Sequence, residues 1–303
     1  MNVVCLSGGV GGAKLARGLH EVLQPGELTV IGNVGDDVEV LGLYVSPDVD
    51  SVLYALVAVN DEERGWGRAS ETWRTLDSAK EWGGEGWFLL GDLDLGLHLV
   101  RTQALRAGEP LSAVTARLAA ARGLATRLLP STDGRLRTHV VTPAGKFSFQ
   151  EWFVARRHED EVDAMFFEGA ESASPAPGVL EALEGADAIV VAPSNPYTSI
   201  QPILAVAGIR DAISSRRARA VAVSPLIGGR AVKGPLDRML TRMAGGTAPQ
   251  QVTDCYKGLI DALVIDREDA PAEASVPLVV ADTLMTDRAS ACRLAETVLE
   301  AAA

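Results

Sequence analysis

Met1-Asn-Val-Val-Cys-Leu6, followed by Ser7-Gly-Gly-Val-Gly-Gly-Ala-Lys14 and an apolar run through Leu15, Leu19 and Leu23, decides the fold class. A hydrophobic strand that runs into clustered glycines and then an amphipathic helix is how α/β proteins build phosphate sites. The glycines admit close backbone approach, and the free N–H groups and dipole at the helix N-terminus attract anions. The loop matches neither standard template. A dinucleotide fingerprint needs glycine three residues after Gly11, where Lys14 stands, and a P-loop needs Gly at Ala13 and Ser or Thr at Leu15. The expectation is a phosphate site on Ser7, Gly8, Gly9, Gly11, Gly12 and Lys14 that serves neither an ordinary NAD enzyme nor an ordinary ATPase.

Working outward, five further short apolar runs read as strands buried on both faces: Leu28–Ile31, Ala188–Ala192, Ala220–Val223, Leu263–Ile265 and Leu278–Ala281. Most lead into helix-like stretches, which is the alternation of a parallel sheet covered on both sides. The middle breaks this rhythm. Ser70–Trp82, Asp94–Ala107 and Pro110–Arg122 have helical spacing, with Ser112 a candidate cap and Gly123 a stop, and Arg137–Thr142 with Lys146–Phe153 reads as a hairpin about Pro143-Ala-Gly145. The predicted architecture is α/β: a doubly wound, mainly parallel Rossmann-like sheet with a mainly helical insertion subdomain. Residues 1–60 and 180–303 form the core. Residues 61–179 form the insertion, helical over about 61–130 with the hairpin at about 136–154.

The 303 residues carry a formal charge of −12, which opposes nucleic-acid binding because no basic field exists to meet a phosphate backbone. An anionic small substrate then needs local donors or a metal. Cys5, Cys255 and Cys292 lie far apart without metal-ligand spacing and read as reduced, cytoplasmic cysteines. No apolar run is long enough to span a membrane, and the strand at the N-terminus leaves no room for a signal peptide.

Ligands of open parallel sheets bind beyond the carboxyl ends of the strands. There this sequence places Asn33-Val-Gly-Asp-Asp37, Ser46-Pro-Asp-Val-Asp50, Pro193-Ser-Asn-Pro196 and Ser224-Pro-Leu-Ile-Gly-Gly229 beside the glycine loop. Asp36, Asp37, Asp48 and Asp50 gather like charges that Mg²⁺ would neutralise while touching substrate phosphates, although Asp48 or Asp50 could instead cap the helix predicted over Ser51–Val59. His98 and Arg101 share a helical face, and five tryptophans, Trp66, Trp73, Trp82, Trp87 and Trp152, fall in the insertion, where one or two could wall a planar ligand. No Ser/His/Asp order and no cysteine nucleophile supports covalent catalysis.

These segments, together with Gly65-Trp-Gly67, Ser70-Glu-Thr-Trp73, Gly91-Asp-Leu-Asp94 and Ala281-Asp-Thr-Leu-Met-Thr286, resemble in order the 2-phospho-L-lactate transferase family of coenzyme F-420 biosynthesis, which includes the actinobacterial phosphoenolpyruvate transferases. The resemblance implies transfer from a guanosine diphosphate-linked donor to the deazaflavin FO with release of GMP, using Mg²⁺, in a homodimer. It assigns the donor to the glycine loop, Ser194, Asn195, Ser224 and Gly228. It assigns metal and catalysis to Asp37 and Asp50, with Asp36 and Asp48 behind them, and the acceptor to Trp66, Asp92, His98 and Arg101. Gly96-Leu97 departs from the Ala-Thr that relatives tend to carry before the histidine. Two other readings compete. A nucleotide-sugar-binding regulator of the related gluconeogenesis-factor type shares the glycine-rich start. A nicotinamide oxidoreductase lacks its third glycine and its ribose-binding acid.

Overall fold

The computed structural model describes residues 1–303. Seven strands make the main sheet, numbered here in chain order: β1 (Val3–Ser7), β2 (Leu28–Gly32), β3 (Arg127–Pro130), β4 (Ala188–Val191), β5 (Arg219–Val223), β6 (Ala262–Asp266) and β7 (Leu278–Ala281). Their spatial order is β7-β6-β5-β4-β1-β2-β3, and every neighbouring pair is parallel. The strand order therefore reverses between β1 and β4, where the crevice of a doubly wound sheet opens. The α/β prediction holds, and all six predicted strands are present.

The glycines of the opening loop are themselves helical. Helix α1 spans Gly9–Val22, so its first turn is built of Gly9, Gly11 and Gly12. Its buried face, Gly12, Ala13, Leu15, Ala16, Gly18 and Leu19, packs against α2 (Pro47–Leu56) and the C-terminal helix Arg288–Ala302. Small residues set how closely it lies. A Cβ at Gly12 would meet the Ser7 and Ser194 hydroxyls at 2.5 Å, and one at Gly18 would land on the Ala291 carbonyl.

The stretch expected as a helical insertion contributes more to the core than its composition suggested. Helices α3 (Arg74–Glu81), α4 (Asp92–Arg106) and α5 (Leu111–Ala120) lie there as expected. Arg127–Pro130, however, is the edge strand β3 of the main sheet, and Leu111, Leu128, Val140 and Trp152 join the same hydrophobic core as β1. A four-residue strand of Arg-Leu-Leu-Pro is too short to show the alternation that would reveal it. Two local expectations also change. Ser112 does not cap α5; its amide and hydroxyl donate to the Asp133 carboxylate at 2.6 and 2.7 Å. The second hairpin strand stops at Ser148, because burial of Phe149 and Trp152 turns the chain into a wide helical turn at Glu151–Ala155. A third strand, Ala164–Glu168, pairs antiparallel with Arg137–Thr142 on its other side. No helix is long and apolar enough to cross a membrane.

Candidate active site

A cavity of about 550 Å³ opens at the switch point, lined by the loops that follow β1, β2, β4, β5 and β7. The loops after β1 and β4 are stitched together: the Gly8 amide donates to Ser194 Oγ at 3.1 Å, and that hydroxyl donates to the Gly8 carbonyl at 2.7 Å. After β4 the chain enters a wide turn at Pro196–Ile200, which Asn195 caps by accepting from the Tyr197 and Thr198 amides at 3.0 and 3.3 Å. Of the predicted donor residues, Gly8, Gly9, Gly11, Lys14, Ser194, Asn195 and Ser224 line the cavity. Ser7, Gly12 and Gly228 do not. Ser7 is wholly buried with its hydroxyl unpartnered, Gly12 packs against it, and Gly228 adopts a φ of 56° beside Glu268.

The acidic residues divide into two linked pairs. Asp36 and Asp48 line the cavity, and the Asn33 amide bridges them with 3.0 Å bonds to each. Asp48 also accepts from the Gly9 amide at 2.6 Å. It caps α1 and not its own helix, where Ser46 holds the N-cap position. Burial, and then the charges of Asp48 and Asp37, push the Asp36 carboxyl well above the ordinary range; burial also raises Asp48, against the bonds from Asn33 and Gly9.

Asp37 and Asp50 lie behind this pair and do not line the cavity. Ser46 connects them: its hydroxyl donates to Asp37 at 2.9 Å and its amide to Asp50 at 3.3 Å. Asp37 accepts a second bond from Tyr44 Oη at 2.9 Å on the same oxygen, which leaves Oδ1 buried without a partner. Burial raises its pKa to about 7, against the pull of Arg137, Tyr44 and Ser46. Asp50 is gripped on both oxygens by Arg101, at 2.9 Å through Nη1.

Three of the four predicted acceptor residues are elsewhere. Arg101 is fully buried on Asp50. His98 is buried with Nδ1 3.8 Å from Asp50 and Nε2 3.3 Å from Asp94, which also accepts from Tyr54. Asp92 is half-buried and caps α3, accepting from the amides of Arg74 and Thr75 at 3.2 and 3.0 Å. Helical spacing placed His98 and Arg101 on one face correctly; that face turns inward to neutralise a buried carboxylate. Trp66 alone lies at the cavity, 40% exposed and tilted against Trp73 at 6.1 Å. Neither Gly96 nor Leu97 lines the cavity, and a Cβ at Gly96 would meet nothing within 4 Å.

Sequence reasoning missed the apolar wall. Phe88, Phe149 and Phe153 line the cavity, with Phe149 and Phe153 stacked at 5.2 Å and 18°. It also missed Lys233, and Ala281–Thr286, quoted for the resemblance without a place in the site, brings Thr283, Leu284 and Met285 to the cavity. A hairpin aromatic at the end of a strand was the available signal for Phe149.

No three His, Cys, Asp or Glu side chains converge as a ready-made metal cage. That is compatible with Mg²⁺, which uses one or two carboxylates together with substrate phosphates. The orphaned buried oxygen of Asp37 and the like-charge pair in front of it are what a hard cation would satisfy.

The sequence profile described as 2-phospho-L-lactate transferase CofD matches residues 3–294. A phosphoenolpyruvate transferase of Streptomyces griseus is 43% identical over 313 residues, covering 100% of this chain and 98% of the relative. One from Thermobifida fusca is 43% identical, covering 89% and 88%. A crystal structure of a UPF0052 family member from Bacillus halodurans superposes with a TM-score of 0.65 at 20% identity over 98% of each chain, a likeness of fold alone.

Proposed function

Since the chain belongs to the 2-phospho-L-lactate transferase CofD family, and is thereby a phospholactate or phosphoenolpyruvate transferase of coenzyme F-420 biosynthesis, we propose that it moves a phosphoenolpyruvyl group from a guanosine diphosphate-linked donor to the ribityl hydroxyl of the deazaflavin FO, with release of GMP. The choice of enolpyruvyl over lactyl rests on the names of the relatives. Membership of a transferase family sets aside the regulator and the oxidoreductase. The observation that carries the reading is the cavity at the switch point, lined together by a glycine-rich helix start, paired carboxylates and aromatic side chains.

The donor's diphosphate lies along Gly8–Gly11 and Lys14, and the planar acceptor lies against Trp66, Phe149 and Phe153. The terminal ribityl hydroxyl attacks the distal phosphorus, the bond to the bridging oxygen breaks, and GMP leaves with that oxygen. The hydroxyl proton passes to the Asp36–Asp48 pair, which lines the cavity and whose carboxyls burial holds above the ordinary range. The residues that would hold Mg²⁺ are Asp37, through its unpartnered buried oxygen, and Asp50, whose carboxylate is paired with Arg101 in this structure. Bound there, Mg²⁺ would neutralise the diphosphate and the leaving phosphate. The rest of the acceleration is positioning, as is usual for transfers of this type.

Incubation with FO, Mg²⁺ and each candidate donor tests the proposal. The expected result is GMP and a more anionic deazaflavin in equal amounts, fastest with the enolpyruvyl donor. Asp37→Asn and Asp50→Asn are each expected to lower turnover by about a hundredfold or more while circular dichroism stays native. Near-normal turnover in either variant removes that residue from the mechanism.

A further inference from the structure

The chain has only five lysines, Lys14, Lys80, Lys146, Lys233 and Lys257, and two of them line the cavity. Lys14 rises from α1, and Lys233 comes from the loop between the small hairpin Leu226–Ala231 and the helix at Leu236–Ala244. Each ammonium bonds a main-chain carbonyl and not a carboxylate: Lys14 donates to Met285 O at 2.7 Å, and Lys233 to Arg64 O at 3.2 Å. They are close enough to feel each other. Burial, and then the charge of Lys233, lowers the Lys14 pKa, while Glu62 partly offsets this. In a protein of net charge −12, these two ammoniums line one cavity without a carboxylate in contact with either.

Space is kept for this arrangement. Gly65 has a φ of 76°, and a Cβ there would land on the Lys233 ammonium. The helix start is also less available than its sequence promised, because Asp48 occupies the Gly9 amide and Ser194 the Gly8 amide. An anion entering the cavity therefore depends on cationic side chains for much of its neutralisation.

We propose that Lys233 is a second anion-binding residue, which leaves the Arg64 carbonyl to close with Lys14 on a diphosphate group. The identification of that group as the donor's diphosphate rests on the function proposed above; the anion site itself does not. Exchanging a neutral acceptor for a charged one strengthens the bond, which favours the exchange whenever a diphosphate is present.

Calorimetric titration of the intact protein with inorganic pyrophosphate and Mg²⁺ provides the test. Lys233→Met is expected to weaken binding by about tenfold or more, with Lys233→Arg recovering most of it and Lys14→Met weakening it similarly. Lys146→Met, on the outer hairpin, is expected to bind as the parent does. Pyrophosphate binding by a correctly melting Lys233→Met protein within about twofold of the parent would overturn the inference. Pyrophosphate binding that depends on Lys233, with no transfer from any guanosine diphosphate-linked donor, would retain the anion site and remove the transferase reading.

Discussion

Asp37 carries the sharpest consequence at the scale of single residues. Its folded pKa of about 7 lies above the ordinary carboxylate value because burial disfavours the charge. Between the two values the folded protein holds a proton that the unfolded chain has lost, so this residue's effect on stability worsens as pH rises from about 4 to about 7. Asp37→Asn removes that liability. In chelator, to exclude divalent cations, the variant is expected to gain stability relative to the parent on going from pH 5 to pH 8, by on the order of 1 kcal/mol or more. Urea unfolding at the two pH values measures it, and an unchanged difference would show that Asp37 stays ionised without a metal. Site residues were unevenly legible at this scale. The glycines, Lys14, Ser194, Asn195 and the acidic group could be named because turn chemistry and like charges are local properties of sequence. The burial of Arg101 on Asp50, 51 positions away, was not legible, since helical periodicity says which residues share a face and nothing about where the face looks.

Among the elements, α1 shows how glycine serves both ligand approach and packing. Gly18→Ala would drive a methyl into the Ala291 carbonyl of the C-terminal helix, and backbone cannot yield as a flexible side chain can. The expected cost is about 1–3 kcal/mol of stability, typical of overpacking. Gly96→Ala in α4 supplies the opposite case: nothing lies within 4 Å, so the substitution is expected to stabilise by about 0.5–1 kcal/mol through helix propensity alone. Chemical denaturation of both variants decides the point, and a Gly18→Ala protein as stable as the parent would mean that α1 can shift away from its neighbour. The six predicted strands were readable because strands buried on both faces are continuous apolar runs. Edge strand β3 was not: beginning with Arg127 and ending at Pro130, it has the composition of a loop and becomes a strand only by pairing with β2.

For the molecule as a whole, the sheet order and the cavity at its reversal point bind one ligand with loops from many strands. Such a ligand links those loops and should stabilise the entire cooperative unit. GDP with Mg²⁺ at about a hundred times its dissociation constant is expected to add about 2.7 kcal/mol of stability, and chelation is expected to remove most of it. Thermal unfolding with and without nucleotide tests this; a melting temperature indifferent to GDP would show that the folded protein does not bind the nucleotide.

The stitching of Gly8 to Ser194 joins residues 186 positions apart, and the bond from Lys14 to Met285 spans 271. A ribosome adds residues one at a time from the N-terminus, at about 5–20 per second. The glycine loop therefore emerges on the order of tens of seconds before its last partner exists. During that interval β1, destined for the middle of the sheet, has an open edge on the side where β4 will pair. The strand that begins the active site is consequently the one exposed longest to mispairing in the nascent chain, and chaperone demand should track the rate at which the chain is translated up to residue 191.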